Sequence, residues 1–125
     1  LELPGGYDIM PELSAAGLWT TPSDLARLGI EIMKALKNES VYLKKDTTKL
    51  MTTKAYENSQ HGIGFSIGES KKGLTFGHSG YNDGFISNMC FCPDDGSGIV
   101  VMINSNIGGN IPSEVTNAFK EVYGW

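Results

Sequence analysis

The stretch "GLTFGHSGYNDGF", residues 73–85, sets a histidine, a serine and a tyrosine around one glycine. An imidazole can pass a proton to or from a reacting group. A neighbouring hydroxyl can bond a carboxylate or an amide, and a glycine lets another backbone lie close against its strand. Against this stands a bland reading: a polar patch on a sheet edge. The remaining residues with metal or nucleophile chemistry are few. His61 and His78 are the two histidines, and Cys90 and Cys92 the two cysteines. On a strand these thiols point to one face, with Cα atoms near the upper limit for a disulfide of about 7 Å. A metal site would need further ligands, so the reading is buried free thiols, with no metal and no cofactor.

Composition narrows the class. A chain of 125 residues, 40% hydrophobic and 19% charged, reads as one globular unit with a modest core. The net charge of −4 and the scattered lysines argue against nucleic acid, which needs clustered cations. No apolar run approaches the roughly 20 residues of a membrane span.

Residues 1–16 hold two prolines and a Gly-Gly pair without periodicity, and read as an irregular lead-in. "TTPSDLARLGIEIMKALKN" is a helix: Thr21 caps it, Pro22 suits its first position, and Asp24 stands three residues after the cap. Leu25, Leu28, Ile32 and Leu36 give the expected buried stripe. A shorter helix is expected around Asp46–Met51. Four β-rich segments follow, at His61–Ile67, Gly73–His78, Gly84–Phe91 and Gly98–Asn104, with connections short enough for antiparallel neighbours. A last helix from Pro112 would turn Val115, Ala118, Phe119 and Val122 inward. The expected fold is α+β, an antiparallel meander flanked by helices.

Two stretches resemble the serine β-lactamase and penicillin-binding-protein superfamily, in its branch of class C enzymes, D-aminopeptidases and esterases. "AAGLWTTPSDLARLGIEIM" is similar to that family's Gly-aromatic turn and "ST-x-x-D-L-A-R" helix start. "GLTFGHSGYNDGFISNMCFCPDDGSGIVVMINSN" is similar to its closing sheet, with His78-Ser79-Gly80 at the [KH]-[ST]-G motif and Gly84 at the following glycine. The resemblance spans roughly residues 15–125 and implies acyl transfer to a serine. Its oxyanion needs rigid N–H donors, and the match assigns one to the backbone N–H of Tyr81. It gives His78 the charge or proton-relay role. Ser79, Gly80 and Asn82 fall to substrate binding.

The family's S-x-x-K nucleophile motif is absent: none of the serines is followed by lysine three residues later. Tyr56-Glu57-Asn58 matches the second motif but lies after the "GLW" segment rather than before it, and reads as chance. Both motifs are therefore expected upstream of Leu1. On this reading the chain is the C-terminal part of a longer hydrolase, without the N-terminal strands and helical subdomain. Its substrate would be a small-molecule or peptide acyl compound: a D-Ala peptide, a β-lactam, a D-amino-acid peptide or a small ester. Histidine in place of lysine leans towards peptidase or esterase. The alternative is a non-catalytic peptide- or ligand-binding module derived from that fold. The strand Gly98–Asn104 is expected to expose an edge that a homodimer would cover. His61 reads as a strand start, Asp24 and Arg27 as a cap and a helix-surface partner, Trp19 and Tyr7 as packing residues with pocket lining as the alternative, and Asn82 and Asp83 as turn formers at the cleft mouth that could touch substrate.

Overall fold

A computed structural model describes residues 11–105, 107 and 109–125. Tyr7, most of the lead-in and Asn106 lie outside them. The described lead-in is not wholly irregular: Leu13–Ala16 forms a single turn, α1.

Helix α2, Pro22–Leu36, starts as its sequence dictates. Thr21 is extended, and its hydroxyl accepts the Asp24 N–H at 3.2 Å while donating to the Asp24 carboxylate. One orphan donor of the first turn is thereby satisfied, with negative charge placed at the positive end of the helix. The bond from Thr21, then the one from Arg27, holds the Asp24 carboxyl below its usual range. Asp24 and Arg27 are a cap and its surface partner, as expected. The chain leaves the helix through Asn38 in the left-handed region, φ 63°. Helix α3, Lys45–Thr52, packs against α2.

Four antiparallel strands follow, β1 Ser66–Ser70, β2 Gly73–Asn82, β3 Phe85–Cys92 and β4 Ser97–Ile103, in the spatial order β1-β2-β3-β4. Two boundaries differ from expectation. β1 begins at Ser66 rather than His61, because the Gly62–Phe65 turn, with Gly64 at φ +85°, reverses the chain first. His61 keeps only a single bridge to Ser66. β2 runs four residues beyond its expected end, so His78-Ser79-Gly80 lies inside a strand. The turn is only Asp83-Gly84, with Gly84 at φ +83°, and Asp-Gly is a strong two-residue hairpin signal.

Side chains alternate across the sheet. Phe76 and Phe91 stack at 5.4 Å on one face, Phe65 meets Phe76 edge-on at 5.3 Å, and Ile32 and Met33 of α2 close over them with Ile67. Gly29 permits this approach: a Cβ there would stand 2.2 Å from the Phe91 ring. Helix α4, Ile111–Tyr123, covers the other face, where Asn88 donates to the Thr116 hydroxyl at 2.9 Å. Both cysteines face it as free thiols, Cys92 buried and Cys90 half-buried. Burial raises the Cys90 thiol above its ordinary value.

The helix stripes need correction. In α2 the buried positions are Gly29, Ile32, Met33 and Ala35, while Leu28 stays 42% exposed. In α4 they are Pro112 and Thr116, with Val115 and Val122 turned to solvent. The half-polar sheet face at Asn88 draws the threonine inward, where its hydroxyl also bonds the Pro112 carbonyl. Among the described residues no helix is long and apolar enough to cross a membrane.

Candidate active site

The candidate site is built on the second half of β2. β1 pairs with β2 only as far as Ser66 opposite Gly77. Ile67 donates its N–H to the Gln60 carbonyl at 2.8 Å, away from β2. Backbone groups alternate direction along an antiparallel strand. Stepping from Ile67 opposite Phe76, the N–H and C=O groups of Gly77, Ser79 and Tyr81 therefore point towards the β1 side. Those of His78, Gly80 and Asn82 point at β3. Beyond Gly77 no described strand occupies the β1 side. Ser79 and Tyr81 thus present a short free edge, rigid because the other side of β2 is paired through Asn82 opposite Phe85.

Side chains follow the same period. His78, Gly80 and Asn82 share the α2 face with Phe76, and His78 is exposed. Gly80 stands opposite Ser87, whose Oγ lies 2.8 Å from where a Gly80 Cβ would be. A side chain there would meet that hydroxyl, so this stretch of strand is flat. Asn82 is committed elsewhere: its Nδ2 donates to the Ala16 carbonyl at 3.2 Å, tying the segment Ala16–Thr20 over the end of the sheet.

That segment separates two adjoining cavities. One, of about 500 Å³, reaches from His78 and Met89 to Leu25 and Leu28, which accounts for the open half of the α2 stripe. The other, of about 340 Å³, lies between Trp19, Phe85, Met102 and Asn104. Trp19 meets Phe85 edge-to-face at 5.3 Å yet remains 57% exposed, so it both packs and lines a cavity. All five residues singled out from sequence, His78, Ser79, Gly80, Tyr81 and Asn82, border these cavities. Sequence reasoning missed Leu18, Ser87 and Met102, and only the strand register, which sets Gly80 beside Ser87 and Ser87 beside Met102, points to the last two. Tyr56 lies in an exposed turn and lines neither cavity.

The helix-covered antiparallel meander with a groove at its β2–β3 end defines the class: an α+β domain with one four-stranded antiparallel sheet. The family model for Beta-lactamase matches residues 2–118, and the chain belongs to that family. Among curated proteins and solved structures, none matches the chain.

Proposed function

We propose that this chain is the C-terminal part of a serine acyl hydrolase or transferase, and that it does not carry out acyl transfer by itself. The observation that carries the reading is the free edge of β2 at Ser79 and Tyr81, within His78-Ser79-Gly80-Tyr81. The Tyr81 N–H points outward from a strand held on its other side, as an oxyanion donor must be. The Ser79 edge offers an N–H and a C=O for an extended acyl substrate added as a further strand. Gly80 keeps that approach clear, and His78 supplies a proton relay or positive charge beside it. Asn82 acts by holding the segment Ala16–Thr20 in place. The nucleophile is the missing part, since no serine of the chain has lysine at the third following position.

The test is covalent labelling with a fluorescent penicillin and a fluorophosphonate. The 125-residue chain is expected to take up no label, whereas a longer parent bearing an upstream S-x-x-K should label stoichiometrically. Labelling of the short chain overturns the missing-nucleophile argument. A parent that has the motif and stays unlabelled favours the binding-module reading.

A partner is proposed for β4. It stands at the end of the sheet, and no described strand pairs with its outer edge. Ser97–Ile103 contains none of the lysines or prolines that usually protect such edges. A second copy, paired antiparallel about Val100, would satisfy these groups with two-fold symmetry. Light scattering on the purified chain is expected to give twice the 13.5 kDa chain mass, with Val100→Pro returning it to monomer. A wild-type monomer refutes this interface.

A further inference from the structure

The charge around the groove selects among acyl substrates. We propose that the cavity bounded by Leu18, Trp19, Phe85 and Met102 receives the aromatic or branched apolar part of an uncharged acyl compound, an ester or a neutral amide, and discriminates against free carboxylates. This rests on the reading of the β2 edge as the place where substrate lies.

The first observation is shape. The cavity is bounded by Leu18, Trp19, Phe85 and Met102 and opens at the end of β2, beside Tyr81 and Asn82. Leu18 and Trp19 are 72% and 57% exposed, so two large apolar side chains flank one mouth. Clustered exposure of this kind marks a binding surface rather than a stable exterior. The Trp19–Phe85 pair is edge-to-face, and a third ring can extend such an arrangement.

The second, independent observation is where the cations are. Arg27 is the only arginine, and it is paired with Asp24. The nine lysines sit at positions 34, 37, 44, 45, 49, 54, 71, 72 and 120, and none lines either cavity. Lys71 and Lys72 occupy the β1–β2 turn, at the opposite end of β2 from the groove. The segments 1–10 and 104–112 contain no lysine or arginine at all. Among the described lining residues the only titratable side chains are His78 and Tyr81. The nearest turn carries Asp83. A carboxylate carried past Tyr81 into this cavity loses water and meets no lysine or arginine, the His78 imidazole lying in the adjoining cavity, which is costly, while a neutral ester loses little.

The probes are methyl hydrocinnamate and hydrocinnamate, alike in ring and reach and differing by one negative charge at neutral pH. Each is titrated into the isotope-labelled chain, following the Trp19 indole and the Tyr81 and Asn82 amides by NMR. The ester is expected to give saturable shifts at these three groups, and the carboxylate to bind at least about tenfold more weakly. Trp19→Ala, at an exposed position, should abolish the ester's shifts. Leu18→Lys should bring hydrocinnamate up towards the ester by supplying the missing cation. Equal binding of the two probes, or an ester that leaves these groups unshifted, overturns the proposal. The serine-hydrolase reading is tested separately by labelling of the parent: a labelled parent with a groove blind to the ester refutes only this inference.

Discussion

Phe76→Ala is expected to destabilise the chain by about 3–5 kcal/mol, the range for truncating a fully buried aromatic ring. Phe76 is 1% exposed and joins the core from both sides, edge-on to Phe65 and stacked on Phe91 beneath Ile32 and Met33. Its loss leaves a cavity whose lining belongs to a helix and three strands, so collapse around it is limited. Small domains hold only about 5–15 kcal/mol of stability, and one of this size stands near the low end. The variant should shift the urea midpoint by a large fraction of its value or fail to fold. Tyr42→Ala, at a side chain 83% exposed, should stay within about 0.5 kcal/mol of wild type. Equal effects of the two would show that Phe76 is not the centre of the core.

The second large effect is expected at Gly77, the residue that leads into His78. A Cβ built there lies 2.2 Å from the Met89 carbonyl oxygen and 3.2 Å from the Cys90 Cα. These are backbone atoms of the neighbouring strand, which cannot swing aside as a flexible side chain would. Gly77→Ala must therefore separate β2 from β3 where the free edge begins, at a cost of about 3 kcal/mol or more. Gly109→Ala is the control, since among the described residues nothing lies within 4 Å of a Cβ there. Chemical denaturation compares the two, and NMR should show the loss of strand shifts from His78 to Tyr81 in the first alone. A Gly77→Ala chain as stable as the Gly109→Ala one would mean that the strands are not in this close contact.

Much of this was legible in the sequence where the signals were local. Thr21, Pro22 and Asp24 mark the start of α2 because capping is decided within one turn. The glycine-punctuated segments mark a meander because short connections force antiparallel neighbours. The helix stripes were less legible, since which side of a helix is buried depends on what it lies against. Leu28 fits the apolar period of α2 and still faces the groove, and Thr116 displaces Val115 because Asn88 waits on the sheet. The candidate site divides in the same way. His78 to Asn82 could be picked out by type and order. The free edge could not, because it depends on where β1 begins, and β1 begins only after a turn of Gly62 and Gly64. Ser87 and Met102 become neighbours of Gly80 only through register across three strands.

The sheet's order has a kinetic consequence. Among the described residues each strand pairs only with its neighbour in the chain, so the meander can zip from turn to turn with little loop-closure entropy between successive strands, the pattern of fast-forming topologies. The packing of α2 on the sheet and the Asn82–Ala16 hydrogen bond, which joins residues 66 apart, are the long-range steps. The hydrogen bond closes only after both the hairpin and α2 are in place, and it has one exposed aromatic contact to support it. The backbone amides of the segment from Ala16 to Thr20 are thus expected to exchange with solvent faster than those of the strands beneath it, which hydrogen exchange followed by NMR would read.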